Sequence, residues 1–347
     1  MENSYISFGS QVVGTGRPTF IIAEMACAHE GDVETAEAIV DAAIEAKASA
    51  VKFQVFTADG LVVPGHELHA AYKRFEFSQD QWGVLARRAR TGGLVVLVDV
   101  FEPASLNVAE AIDAEGLKVH STNVTNPYFL EEVAQRGLPV IIGTGGTYKK
   151  EIHSAVEIFR RRNVDIALMH GFQGYPTSAA DENLRRICDL ARDFGLVVGF
   201  TTHADGGGDG AIWRNVLAVG MGCPLLETHI TMDRSPDKTD YHSSLEPEAF
   251  KRMVSVIREM EVVLGTGGYE MNQAEKGYRK SFKAFIVSAG DLPSGHRLEL
   301  ADMAFKRASH GIVPSKADRL LGRYLKHPVS KDEPLTEELV VDDKKED

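Results

Sequence analysis

The sequence predicts an α/β protein: a closed (β/α)8 barrel followed by a small β-rich module. Three observations carry this. Over the first 265 residues a short β-branched run, a loop and an amphipathic helix alternate without interruption. Eight such strand segments occur, each predominantly apolar, as strands covered on both faces must be. The pattern then stops at Gly265-Thr266-Gly267-Gly268 and gives way to short, loop-broken β-like runs.

The strands are expected at Thr19–Glu24, Val51–Val55, Val95–Asp99, Leu117–Ser121, Pro139–Gly143, Asp165–His170, Leu196–Thr201 and Leu225–Ile230. Helical spacing follows them. Val33–Lys47 places Ala36, Ile39, Val40 and Ala43 on one face, and Glu246–Leu264 does the same with Phe250, Met253, Val256, Ile257 and Met260. Pro247 falls one step into the last helix, where its missing N–H costs nothing. An open doubly wound sheet is the competing architecture. Its dinucleotide-binding form needs Gly-x-Gly-x-x-Gly after the first strand, where this chain has Met25-Ala26-Cys27-Ala28-His29-Glu30-Gly31. The cluster Gly206-Gly207-Gly208-Asp209-Gly210 lacks a Gly-Lys-Ser/Thr ending and reads as a loop or helix entry. The domain organisation is therefore a barrel over 1–265, a linker over 266–278 and a small module over 279–347, ending in a solvated acidic tail at 342–347.

Bulk composition narrows the function. A formal charge of −12 across 347 residues argues against nucleic acid or an anionic membrane as partner. No apolar run reaches the ~18 residues of a membrane span, and Met1-Glu2-Asn3-Ser4 does not begin a secretory signal. Cys27, Cys188 and Cys223 have no metal-like spacing, which together with the missing signal points to the cytoplasm.

In a barrel the active site lies at the C-terminal strand ends, so polar residues closing apolar strands are the candidates. Strand one ends in Glu24, strand two carries Lys52 and Gln54 on one face, and strand four holds Lys118 and Ser121. Strand six leads to His170, strand seven to His203 and strand eight to Glu227-Thr228-His229. Neighbouring parallel strands lie about 4.8 Å apart, so His203 and His229 can share one divalent ion. Two unrelated loop-capping histidines would look the same in sequence. Lys52 and Lys118 either pair with Glu24 and Glu227 as structural ion pairs or hold an anionic substrate; two lysines inside one barrel favour substrate. A Schiff-base role also stays open. His153 and His327 fall on surface segments, Phe75, Phe77 and Trp82 read as packing, and Cys27 has no activating neighbour.

Taken in order, these strand ends resemble the sialic acid synthase family, whose members condense phosphoenolpyruvate with N-acetylmannosamine or related sugars. Ile21-Ile22-Ala23-Glu24 with His29-x-Gly31, and Val51-Lys52-Phe53-Gln54, are similar to the family's first two strand motifs. The segment Tyr72–Ser78, Lys118-x-x-Ser121, Tyr175-Pro176, Glu227-x-His229-x-x-x-Asp233 and Ser244-Leu245-Glu246-Pro247 follow in the family's order. Gly290-Asp291-Leu292-x-x-Gly295 and Asp332-Glu333-Pro334-Leu335 are similar to its C-terminal antifreeze-like domain.

The resemblance implies a (β/α)8 synthase domain with an antifreeze-like SAF domain, and roles residue by residue. Lys52, Lys118 and Ser121 would hold phosphoenolpyruvate, with Gln54, Gln173 and Tyr175 bordering the same pocket. His203 and His229 would bind manganese or magnesium. Glu24 and Asp240 would face the aldehyde and the attacking water, and Arg307 would reach the sugar from the small domain. A domain-swapped homodimer is implied as well. Several positions depart from the family pattern: Glu30, Asp99-Val100-Phe101, Gly143-Thr144-Gly145, Gln173 and Thr201-Thr202-His203. Phosphate-contacting hydroxyls are lost and Asp99 would repel phosphate, so the reaction class is expected to hold with an acceptor other than N-acetylmannosamine. Two rivals share the same residues. One is a metal-dependent barrel lyase or isomerase, such as a pyruvate aldolase; the other is a non-catalytic sugar-acid binder.

Overall fold

The computed structural model describes residues 4–342. Apart from Asp342, the acidic tail lies outside them, as do Met1, Glu2 and Asn3. The chain divides into two compact units, Met1–Thr266 and Gly267–Asp347.

The first unit opens with an antiparallel hairpin, β1 (Tyr5–Phe8) and β2 (Gln11–Gly14), turned by Gly9 at φ 56° and Ser10. Eight parallel strands follow: β3 (Phe20–Ala26), β4 (Ala50–Val55), β5 (Val95–Val100), β6 (Gly116–Val119), β7 (Val140–Gly143), β8 (Ile166–His170), β9 (Val197–Thr202) and β10 (Leu225–His229). They pair in chain order, and β10 closes the ring against β3. The expected closed barrel is thus the observed one, with strand ends displaced by no more than two residues.

Helices cover the barrel's outside. Asp32 starts α1 (Val33–Glu45) by accepting from the Thr35 N–H, and Pro247 opens α2 (Pro247–Leu264). Their apolar faces meet the outward side chains of the strands in one continuous core that includes Ile39, Val40, Phe53, Phe159, Phe200 and Phe250. No helix among the described residues is long and apolar enough to cross a membrane.

Inside the barrel the period-two alternation of each strand separates apolar from charged layers. Phe20 and Ile22 precede Glu24 on β3; Ala50 precedes Lys52 and Gln54 on β4; Val95 and Leu97 precede Asp99 on β5; Leu225 precedes Glu227 and His229 on β10. The lower positions join Ile6, Phe8 and Val13 of the hairpin in a second apolar cluster. The hairpin therefore plugs the N-terminal end of the barrel. Gly116 makes room for it, since a Cβ there would stand 2.5 Å from the Phe8 ring.

The second unit begins with helix α3 (Gln273–Phe282), capped by Asn272 in a capping box with Glu275. The stretch 266–278, expected to be a linker, carries the first six residues of this helix, and the expected module start at 279 falls inside it. The antiparallel pair β11 (Ala284–Ser288) and β12 (Met303–Arg307) and the short pair β13 (Tyr324–Leu325) and β14 (Val340–Val341) enclose a small core of Ile286, Leu298, Leu320, Leu325, Leu335 and their neighbours.

Candidate active site

The interior charges form one closed network. Lys52, 1% exposed, binds Glu24 and lies 3.0 Å from both an Asp99 and a Glu227 carboxylate oxygen. Lys118 Nζ donates to Glu227 Oε1 at 2.6 Å and lies 4.0 Å from Asp99 Oδ2. The Thr201 hydroxyl donates to the same Glu227 oxygen at 3.1 Å. Burial opposes ionisation of Glu227, but the two ammonium groups outweigh it and hold its pKa well below the carboxylate range. Burial likewise opposes the Lys118 charge, and Glu227 and Asp99 reverse that, raising its pKa. The two lysines are thus fully engaged by the chain's own carboxylates. Glu24 uses one oxygen on Lys52 and accepts the Ala26 N–H with the other at 2.7 Å. The left-handed Ala26, φ 43°, and the bulge in the β3–β4 register allow that short return.

One layer nearer the mouth stand the histidines. His229 lies two residues beyond Glu227 on β10, and its ring centroid is 5.0 Å from that of His203 at the end of β9. Both Nδ1 atoms are buried without a hydrogen-bond partner. Burial lowers the His203 pKa to about 4 and the His229 pKa well below its ordinary value, so both imidazoles are neutral at pH 7. Backbone contacts fix the histidine loops: the His203 carbonyl accepts the Thr177 N–H and the Ser243 hydroxyl, and the His229 carbonyl accepts the Leu245 N–H. Tyr175 packs edge-on against His203 at 4.9 Å. Neutral imidazoles with unpartnered nitrogens suit a divalent ion. Among the described residues no group of three or more His, Cys, Asp or Glu gathers as a metal site, so the histidines form a two-donor pair.

Above them opens a cavity of about 640 Å³ lined by Gln54, Gln173, Tyr175, His229 and Asp240 together with Cys27, Phe56, Tyr72, Phe101 and His120. Ser121 opens a short turn after β6 and donates to Gln173 Oε1 at 3.3 Å. Asp240 holds a left-handed backbone, φ 58°. Burial pushes its carboxyl up to about 6, offset in part by the Cys27 N–H and reinforced by Glu30. Glu30 in turn accepts the Thr239 N–H at 2.6 Å, tying the loop after β3 to the loop that carries Asp240.

A family model described as the NeuB family matches residues 39–269. The chain belongs to the NeuB family. A second model, for the SAF domain, matches residues 283–341. The chain is 32% identical over 331 residues to an N,N'-diacetyllegionaminic acid synthase of Legionella pneumophila, covering 90% of this chain and 92% of that one. It is 27% identical over 343 residues to the N-acetylneuraminate-9-phosphate synthase of Homo sapiens, covering 94% of both. The crystal structure of an N-acetylneuraminic acid synthetase from Leptospira borgpetersenii, solved with citrate, matches 80% of this chain and 97% of that one with a TM-score of 0.74 and 30% identity.

In this NeuB-family chain the barrel brings together the candidates named from the first unit, His170 excepted, in two layers. Gln54, Gln173, Tyr175, His229 and Asp240 line the cavity, whereas Glu24, Lys52 and Lys118 lie deeper with Glu227. Arg307 belongs to the second unit, where it ends β12 and lies exposed with its guanidinium 5.2 Å from the Phe282 ring centroid. His170 is structural: its Nε2 meets the Glu182 carbonyl at 2.9 Å. Sequence reasoning took Asp99 only as a repulsive departure, named Glu227 only as one possible ion-pair partner of the lysines, and gave Thr201 no role. The signal for them was the interior face itself, since Asp99, Thr201 and Glu227 sit at the position where each strand turns from apolar to polar. The aromatic wall of Phe56, Tyr72 and Phe101 was also missed.

Proposed function

We propose that the chain is a synthase that condenses phosphoenolpyruvate with a sugar aldehyde, giving a 2-keto-3-deoxy sugar acid of the nonulosonic kind and inorganic phosphate. It is a transferase that forms a carbon–carbon bond. The observation that carries this reading is the layering of the barrel: neutral, unpartnered imidazoles directly above two buried lysines, in a chain of the NeuB family.

The chain's residues divide the work. Lys52 and Lys118 are the cations an anionic donor meets at depth, already engaged by the chain's own carboxylates, and Gln54, Ser121 and Gln173 offer hydrogen bonds around them. Glu24 and Glu227 orient the lysines rather than touching the aldehyde. The aromatic wall packs the acceptor and excludes water from its apolar side. Carbon 3 of phosphoenolpyruvate attacks the aldehyde carbon, whose C=O π electrons pass to its oxygen. That oxygen takes up a proton to become a hydroxyl, and water adds to the cationic carbon 2. Asp240, ionised above pH 6, accepts the proton of that water, and phosphate leaves by cleavage of the carbon–oxygen bond. His203 and His229 would hold a manganese or magnesium ion, whose contribution is to polarise the aldehyde oxygen as a Lewis acid. The reading includes a cytoplasmic homodimer in which the small domain of each subunit serves the barrel of the other, with Arg307 reaching the sugar.

The test is phosphate release from phosphoenolpyruvate, with manganese, against a panel of aldoses and N-acetylhexosamines. Acceptor-dependent release is the expected result. Pyruvate-dependent condensation without phosphate release would replace the synthase by an aldolase.

A further inference from the structure

The interior network holds three carboxylates, Glu24, Asp99 and Glu227, against two lysines. Two glutamates already balance two ammonium groups. Glu24 and Glu227 also make contacts beyond the lysines, with the Ala26 N–H and the Thr201 hydroxyl. Asp99 differs from both. Its Oδ2 stands between the two cations, 3.0 Å from Lys52 and 4.0 Å from Lys118, while its Oδ1 is buried with no partner at all. A carboxylate oxygen between two ammonium groups occupies the place that an oxygen of an external anion would take. The network thus sets three carboxylate side chains against two lysines.

We propose that Asp99 is a specificity-determining residue: a built-in anion that competes with the donor's phosphate for Lys52 and Lys118. This rests on the reading above, in which the interior lysines face phosphoenolpyruvate. An entering phosphate meets like charge at the point where it needs cations, and like-charge contacts at this range are strongly unfavourable in a buried site. The donor is therefore held chiefly by its carboxylate and enol carbons, and its phosphate adds little affinity until Asp99 gives way. Removing the third carboxylate leaves two lysines with two glutamates. The substitution thus removes the odd carboxylate rather than creating an unpaired cation.

The experiment is titration calorimetry on the full-length wild type, Asp99→Asn and Asp99→Thr, with phosphoenolpyruvate, pyruvate and inorganic phosphate as separate ligands. Circular dichroism checks each fold, and phosphate release is assayed in parallel. Both variants are expected to bind phosphoenolpyruvate and inorganic phosphate at least about tenfold more tightly than the wild type. Unchanged or weaker affinity in a folded variant overturns the assignment. Should neither variant fold, the wild type decides alone. Phosphoenolpyruvate bound no more than about tenfold more tightly than pyruvate supports Asp99 as competitor, and a larger preference overturns it. Acceptor-dependent phosphate release with unchanged affinities removes the role of Asp99 and leaves the synthase reading standing. No binding of phosphoenolpyruvate by any folded form removes both.

Discussion

His203 and His229 face each other with ring centroids 5.0 Å apart, and neither Nδ1 has a hydrogen-bond partner. Buried imidazole nitrogens are rarely left unmatched, because the lost hydration costs about 1–3 kcal/mol each. A shared cation removes that cost. His229→Ala is therefore expected to lose bound manganese on dialysis while the wild type retains it, as measured by elemental analysis. Added manganese does not restore turnover in the variant. Equal metal content in both proteins would remove the pair as a metal site.

Asp240 carries a pKa of about 6, raised first by burial. Because the reading uses its ionised form, kcat/KM should fall as pH drops below 6 and level off above it. The measurement is a pH–rate profile from 5 to 8. Asp240→Asn should lower the rate by about 10²–10⁴-fold and abolish that acid limb.

His29 stacks on Phe77 at 4.4 Å and meets Trp82 edge-on, while its Nδ1 accepts the Gly31 N–H. Gly31 is required there, since its φ is 82° and a Cβ would stand 2.1 Å from the Arg74 carbonyl oxygen. Burial lowers the His29 pKa to about 4. The unfolded chain takes up this proton near pH 6.5 and the folded chain does not. Its contribution to stability is present above pH 6.5 and is lost as pH falls toward 4, by at most about 3 kcal/mol. Denaturant melts across that range should show the loss, and His29→Gln should flatten it, leaving only the share of the other buried histidines.

Lys118 is 4% exposed and holds Glu227 at 2.6 Å. Lys118→Met leaves the buried carboxylates with a single cation, so unfolding free energy should drop by about 3–5 kcal/mol. A lost activity in that variant would report on folding first. A Tm unchanged from the wild type would show that the network contributes little to stability.

The barrel was legible because its signal is local: eight apolar runs, each followed by an amphipathic helix, need no knowledge of distant partners. The strand-end rule likewise located Lys52, Gln54, Lys118, His203 and His229, and period-two alternation put Lys52 and Gln54 on the inner face. What stayed hidden depends on contacts across the barrel. Lys118 and Glu227 are separated by 109 residues and sit on strands that do not pair, so nothing in their spacing chooses between a substrate and each other. The hairpin of β1 and β2 was missed because its strands are four residues long, although Gly9-Ser10 between two mixed runs is a turn signal. The helix α3 was hidden by the glycines just ahead of it, which drew the eye from the cap at Asn272.

Phe8 and its hairpin neighbours stopper one end of the barrel, so ligands have a single doorway. Two reactants that meet inside must queue through it. In the proposed reaction the donor destined for the lysine layer should enter first, with the acceptor at the aromatic wall behind it. Traffic out runs in reverse, with nothing from the depths leaving before the sugar end has cleared the threshold. Steady-state kinetics should carry that imprint as compulsory order.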